Sequence, residues 1–136
     1  MADFAELEWR RGAPAARDRA IELLTHTLDE LPEETELQEA RDALTYHLGA
    51  ALRIAGRTSE AIEKLKRGLR KSGSDYWRMR MSTALGTTVS YSGDHGAGLE
   101  WANEGWRYAE RAGGDSYKAR ILSNRAACLY YLGRIR

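Results

Sequence analysis

The side chains best suited to metal binding or nucleophilic catalysis are three histidines and a single cysteine. His26, His47 and His95 are far apart in the sequence and share no spacing typical of metal ligands. Cys128 lies in an apolar helical stretch with no neighbouring base, which favours a buried structural thiol over a nucleophile. We therefore expect no catalytic residue, no metal site and no cofactor, and we do not predict an enzyme.

Two further segments suggest phosphate binding, but each has a simpler interpretation. Residues 93–98 read GDHGAG, yet they lack the lysine and hydroxyl of a phosphate-binding loop, and no strand precedes them. Residues 64–71 carry five basic side chains, and two glutamates stand four residues before two of them. This order favours ion pairs along one helix, so we interpret the basic run as a solvated face.

Composition narrows the class of protein without naming a ligand. The 136 residues include 21 basic and 20 acidic side chains, and the net charge of +1 gives no case for nucleic acid as a partner. No apolar run approaches the roughly 18 residues that a membrane-spanning helix needs. The mixed charges of Met1 to Arg11 do not fit a signal peptide, and one cysteine cannot form an internal disulfide. We expect a single cytoplasmic domain with no membrane partner.

Apolar residues recur at three- and four-residue steps, which predicts about seven helices in alternating A and B roles. The first A helix is expected from Asp3 to Arg11, a B helix from Pro14 to Leu31, and a second A helix from Thr35 to Ala55. Gly56 is expected to cap the end of this A helix, and Thr58 and Ser59 to cap the start of the next helix. Later turns are expected at residues 72–74, 92–94 and 113–114.

Glycine positions repeat with the period of a helical hairpin. Gly56, Gly93 and Gly133 lie 37 and 40 residues apart, a spacing typical of stacked helical repeats. Gly49 and Gly86 stand inside predicted A helices, where glycine costs about 1 kcal/mol relative to alanine. Because this cost recurs at the same phase, we expect tight crossings with the B helices, at Ala61 and Gly98 respectively.

The phasing of Leu48-Gly49, Leu52, Ala61, Leu65 and Gly68 resembles the tetratricopeptide repeat (TPR), a helix-turn-helix unit of about 34 residues. The longer spacing is similar to that in the helical arrays of large bacterial ATP-binding transcriptional regulators. The resemblance implies an all-α fold, a right-handed α-solenoid of about 3.5 antiparallel helix-turn-helix repeats. It divides the single domain, 1–136, into units of roughly 1–34, 35–74, 75–114 and an incomplete 115–136.

The resemblance also implies which side chains face the concave groove, because TPR groove contacts come from recurring A-helix positions. The matching positions here are Tyr46, Arg53, Arg80, Thr83, Thr87, Tyr91, Arg120, Ser123 and Tyr130. Arginine can bind a carboxylate through two parallel hydrogen bonds, and tyrosine offers a stiff surface with a polar tip. We therefore expect a scaffold or adaptor that binds a protein or peptide of acidic character.

Alternatives to this groove remain open. Arg80 and Arg120 could pair with neighbouring acids, and some tyrosines could belong to the core. The chain could instead be the sensor arm of a bacterial transcriptional regulator that holds a small molecule or an inhibitory protein. Capture of a C-terminal carboxylate is not expected, because the lysines and asparagines that some TPR proteins use are mostly absent, with Asn124 the nearest.

The fourth unit has an A helix and no B helix after it. Its apolar face would therefore lie open, although repeat arrays normally need a soluble terminal cap. That face is expected to contain Ile121, Leu122, Ala126, Leu129 and Leu132. We expect the chain to be a segment of a longer protein; the alternative is a homodimer formed through the open C-terminal helix.

Overall fold

A computed structural model of the protein describes residues 14–133, which fold into six α-helices with no strand among them. The helices are α1 (Pro14–Glu30), α2 (Gln38–Ile54), α3 (Thr58–Lys71), α4 (Asp75–Tyr91), α5 (His95–Ala112) and α6 (Asp115–Tyr131). One turn of 3-10 helix, Thr35–Leu37, precedes α2, so the second A helix begins three residues later than predicted. The all-α class is confirmed for this part of the chain. The predicted helix from Asp3 to Arg11 lies outside the described residues.

The turn after α2 ends the helix through a left-handed glycine. Gly56 has φ +81°, and its N–H donates to the carbonyl of Arg53 at 3.1 Å. The N–H of Arg57 donates to the carbonyl of Leu52 at 2.9 Å. This pair of bonds is a Schellman motif, which satisfies carbonyls that the helix end leaves unpaired. The predicted role of Gly56 as a C-terminal cap is confirmed.

The prediction that Thr58 and Ser59 cap α3 is wrong. Thr58 is the first helical residue, and the capping position belongs to Arg57, which makes no side-chain capping bond. The reason is geometric. Arg57 completes the Schellman turn and is also the N-cap of α3, so Thr58 and Ser59 already lie inside the helix. The corresponding residue before α5 is Asp94, whose carboxylate accepts from the N–H of Ala97 at 3.0 Å. The same short turn is therefore capped only where its last residue has a side-chain acceptor.

Each helix packs against its neighbours in the chain, and α4 also contacts α2 and α6. The buried apolar side chains form three clusters in succession rather than one. They include Leu24, Leu48 and Leu52 in the first, Leu65, Met81 and Leu85 in the second, and Met79, Ala109 and Ile121 in the third. Helix α4 supplies the second and third clusters from opposite faces, so it is buried on two sides.

The two mid-helix glycines mark close helix crossings, as predicted. A Cβ atom on Gly86 would lie 3.2 Å from the carbonyl oxygen of Gly98, so α4 and α5 meet almost backbone to backbone. A Cβ atom on Gly49 would lie 2.6 Å from Cγ of Leu65. The partner of Gly49 on α3 is therefore Leu65 and not Ala61, because the larger side chain fills the space that glycine leaves.

A buried carboxylate ties the start of α2 to the loop before α4. Asp42 is only 2% exposed, and it accepts hydrogen bonds from Ser72 Oγ at 2.7 Å and from Gln38 Nε2 at 2.9 Å. Ser72 is buried as well and lies 30 residues further along the chain. A buried charge needs such partners, so this cluster fixes where the α3–α4 loop lies against α2.

Helix α6 is buried on one side only. Ile121 and Cys128 are buried, but Leu122 is 49% exposed and Ala126 is also exposed. Ile121, which was expected on the open apolar face, is buried instead, and the open part of that face contains Leu122 and Ala126. They are not covered by any residue in the part of the chain that the structure describes. Among the described helices, none combines the length and apolarity needed to cross a membrane.

Candidate ligand-binding groove

A cleft of about 260 Å³ crosses the middle of α4, between α2 and α6. We call it the arginine cleft. Side chains that recur every three or four residues along each of the three helices line it, so each helix turns one face towards the cleft. They include Tyr46 and Arg53 from α2, Arg80, Thr83, Thr87 and Tyr91 from α4, and Tyr117, Arg120 and Asn124 from α6.

Seven of the nine predicted groove residues line this cleft, and Ser123 and Tyr130 do not. Both are exposed, and Tyr130 packs edge-on against Tyr131 with ring centroids 5.5 Å apart. Helix α6 is rotated about its axis relative to the prediction. It turns Tyr117, Arg120 and Asn124 towards the cleft, and not Ser123. The sequence analysis therefore missed Tyr117. This residue lies three positions before the predicted Arg120, so both are on the same face of α6.

Arg80 occupies the centre of the cleft, and its neighbours are aromatic rather than acidic. Its Nε donates to the hydroxyl of Tyr117 at 2.7 Å, and its Nη1 donates to the hydroxyl of Tyr76 at 3.2 Å. Its Cζ lies 4.3 Å from the ring centroid of Tyr46 and 5.2 Å from that of Trp77. These distances are those of cation–π contacts, so the guanidinium is oriented without being neutralised.

The protonation states of the cleft follow from this packing. Burial acts to lower the pKa of Arg80, but the phenolic oxygens of Tyr46, Tyr117 and Tyr76 outweigh it and raise that pKa above its usual value. Burial, followed by the proximity of Tyr46, raises the pKa of Tyr117, and the charge of Arg80 only partly opposes this. At neutral pH the cleft therefore contains a charged arginine bonded to an uncharged phenol.

The other two arginines of the cleft also lie beside tyrosine. Arg53 lies 5.9 Å from the ring centroid of Tyr91, and Arg120 lies 5.8 Å from that of Tyr117. No aspartate or glutamate lines the cleft, and none of the ion pairs within residues 14–133 involves these arginines. Within the described part of the chain, these arginines are therefore not positioned by ion pairs with acidic side chains. Three positively charged side chains therefore line one small cleft, and no acidic side chain among residues 14–133 pairs with them.

A second cavity, of about 320 Å³, adjoins the arginine cleft, and we call it the aromatic pocket. Its aromatic walls are Tyr91, His95 and Tyr131. The rings of His95 and Tyr131 are stacked, with centroids 4.6 Å apart and planes 11° apart. The pocket also has a floor of small residues, among them Gly86, Gly93, Ala127 and Cys128.

A short hydrogen-bonded chain lies in the wall of the aromatic pocket. Ser90 Oγ is 2.8 Å from Nδ1 of His95, and the thiol of Cys128 is 3.7 Å from Ser90 Oγ. The prediction that Cys128 is a buried thiol is confirmed. The role of His95 was missed, because the histidine begins α5 while its partners come from α4 and α6, at 5 and 36 residues' distance.

No group of three or more histidine, cysteine, aspartate or glutamate residues within 14–133 is arranged to hold a metal ion. Comparisons of the chain with protein-family models, with curated proteins and with solved structures each return no match. The chemistry of the cleft and of the aromatic pocket is therefore the basis for any assignment of function.

Proposed function

We propose that this chain is a protein- or peptide-binding module that holds an acidic segment in the arginine cleft. Its architecture is proposed to be a TPR-like α-solenoid, in which helices α2, α4 and α6 line the concave side. Three features support this architecture: neighbour-by-neighbour packing, contacts of α4 with α2 and α6, and three core clusters in succession. The resemblance to the TPR pattern supports it independently.

The observation that carries the proposal is a group of three guanidinium ions that no acidic side chain within residues 14–133 neutralises. Arg53 and Arg80 are partly buried and Arg120 is exposed. A partly buried charge without an opposite charge is costly to maintain, and such groups concentrate at functional sites. An acidic ligand would supply the missing negative charge, and each guanidinium can donate two parallel hydrogen bonds to a carboxylate. Arginine and tyrosine are also the residue types that dominate binding energy at protein interfaces.

The hydroxyl groups of the cleft favour binding over catalysis. Thr83 Oγ1 donates to the carbonyl of Met79 at 2.8 Å, and Thr87 Oγ1 donates to the carbonyl of Thr83 at 3.2 Å. Asn124 Nδ2 donates in turn to Thr87 Oγ1 at 3.2 Å. The two threonine hydroxyls are thus committed to the helix backbone and are not aligned with a base, so we propose that the arginine cleft binds its ligand without catalysis.

The alternative function, a sensor that binds a small acidic molecule, is favoured by one observation. The arginine cleft and the aromatic pocket adjoin, and together they reach the volume range of small-molecule sites. A free ligand and a peptide would use the same arginines, so the two functions differ in whether a polypeptide backbone contributes to affinity.

A titration with a short oligoglutamate peptide tests the proposal, with free glutamate and oligolysine of the same length as comparators. We expect the oligoglutamate to bind, and Arg53→Gln with Arg120→Gln to weaken that binding at least about tenfold. The matched control is Arg67→Gln with Arg70→Gln on α3, which removes the same charge from exposed positions outside the cleft. Equal loss in both variants, or no binding of oligoglutamate by the unaltered protein, would contradict the proposal. Equally tight binding of free glutamate would favour the sensor.

A further inference from the structure

We infer that the ligand of this groove is bipartite, with its acidic group in the arginine cleft and an uncharged aromatic side chain in the aromatic pocket. The inference rests on the proposed function, since it specifies the kind of peptide that the groove selects. The aromatic pocket would be a second subsite. It predicts that the partner has an aromatic residue near its acidic one, which the arginines alone do not predict.

The two cavities are parts of one continuous surface. Thr87, Tyr91 and Asn124 line both of them, so a ligand that leaves the arginine cleft towards α5 enters the aromatic pocket directly. An extended peptide advances roughly 3.3–3.6 Å per residue. Cavities that share a wall are therefore spanned by one to three residues, which sets the spacing between the acidic and the aromatic side chain.

The charge of the two cavities is sharply different. Three arginines line the cleft, whereas no aspartate, glutamate, lysine or arginine lines the aromatic pocket. Several polar atoms of the pocket are already engaged, because the hydroxyl of Ser90 bonds to His95 and accepts from Cys128, and Asn124 donates to Thr87. A charged group would find no opposite charge in this lining, so the pocket favours an uncharged ring.

The shape of the pocket suits a flat group. Glycine, alanine and cysteine line it together with the rings of Tyr91, His95 and Tyr131. Tyr91 is 78% exposed and Tyr131 is 65% exposed, although large aromatic side chains are more often buried. The described residues leave most of both rings exposed. An aromatic side chain of a ligand that packed against them would remove both rings from water. Aromatic side chains that become buried on binding are typical anchors of protein interfaces.

Selection from a random peptide library tests the inference with the protein as it is. We expect the enriched peptides to combine one or more acidic residues with a tryptophan, phenylalanine or tyrosine within three positions. Enrichment of acidic residues without an aromatic residue at a fixed spacing would overturn the inference and leave the proposed function standing. If no acidic sequence is enriched, both fail. Enrichment of aromatic residues without acidic ones would contradict the bipartite ligand and the arginine cleft alike.

A matched pair of substitutions on α6 gives the second arm of the test. Ala127→Trp fills the aromatic pocket, and Ala126→Trp places the same ring on the neighbouring residue, which does not line either cavity. With a selected acidic–aromatic peptide, Ala127→Trp should weaken binding about tenfold, while the same peptide with alanine in place of its aromatic residue should bind both variants equally. A similar loss in the Ala126→Trp control, or no loss with Ala127→Trp, would overturn the aromatic subsite.

Discussion

Asp42 is an acid at a position where the helical pattern places the side chain inside the protein. Its two hydrogen-bond partners, Ser72 and Gln38, allow the carboxylate to remain buried, and the bond to Ser72 connects α2 with a loop 30 residues away. The residue therefore sets the start of the α4 segment that carries Arg80. Asp42 is one of two acidic residues in α2, and its hydrogen-bond partner in the loop before α4 cannot be read from the local sequence.

Loss of this carboxylate should cost stability rather than ligand affinity. We expect Asp42→Ala to lower the free energy of unfolding by about 1–3 kcal/mol, because the buried hydroxyl of Ser72 loses its acceptor. Urea unfolding measures the effect, and Asp42→Asn, which keeps an acceptor of the same shape, should lose less. If Asp42→Ala and the exposed control Asp29→Ala have the same small effect, the buried cluster does not contribute to stability.

Tyr117 provides a prediction about pH. Burial raises the pKa of its phenol above the unfolded value of about 10, so the folded state favours the neutral form. The stability that this preference provides is complete below the unfolded pKa and is lost as the pH rises through the folded pKa. The unfolding midpoint should therefore fall above about pH 10 more steeply in the unaltered protein than in Tyr117→Phe. Parallel pH profiles of the two proteins would show that Tyr117 is not responsible.

At the scale of the helix, the mid-helix glycines lower the helix propensity but allow neighbouring helices to pack closely. Gly86 allows α4 to approach the backbone of α5, and Gly49 allows Leu65 to pack against α2. Alanine is the better helix former at both sites, so the isolated helices would gain from substitution. The tertiary contact decides the outcome, because an added methyl group would overlap Leu65 at Gly49 and would lie tightly against the carbonyl oxygen of Gly98 at Gly86.

Substitution by alanine tests this balance against a helical control. We expect Gly49→Ala to destabilise the fold by about 1–3 kcal/mol, since its Cβ would overlap Leu65 at 2.6 Å. Gly96→Ala, in the first turn of α5, meets only an atom of Asp94 at 3.7 Å and should be neutral or stabilising by up to about 1 kcal/mol. Thermal or urea unfolding compares the two. A neutral Gly49→Ala would mean that the crossing relaxes without cost.

At the scale of the whole molecule, the three successive core clusters predict uneven unfolding. Repeat arrays gain stability from each unit and from its contacts with its neighbours, so damage at one end should spread only partly. Self-association through the exposed face of α6, which includes Leu122, stays a prediction. An open face at the end of the described chain is equally what a continuing array would present.

Hydrogen exchange on two core variants measures this modularity. Leu24→Ala in the first cluster should reduce protection mainly in α1 and α2, and Ile121→Ala in the third mainly in α5 and α6. Each substitution removes a buried side chain at a cost of about 2–5 kcal/mol, so the effects are comparable in size. A uniform loss of protection across all six helices in both variants would indicate one cooperative unit and would contradict the proposed array.

The sequence by itself determined the helices, their turns and the close crossings. Periodic leucines and alanines specify which face of a helix is apolar, and a glycine such as Gly56 ends a helix through its own backbone freedom. The predicted cap at Thr58 was wrong by one residue. The Schellman turn ends at Arg57, which is itself the N-cap, so Thr58 is the first helical residue. These features depend on neighbours a few positions apart, and the sequence displays those directly.

Seven of the nine groove residues predicted from the sequence line the cleft, but only the tertiary structure decided which partners they meet there. The rotation of α6 brings Tyr117 and Asn124 into the cleft and turns Ser123 and Tyr130 away, although all four have compatible residue types. The partners of Arg80 are likewise tyrosines from three helices and not an acid. The rotation of a helix about its axis is set by the packing of its buried side. A shift of one residue changes which side chains meet across the cleft, and no local pattern specifies it.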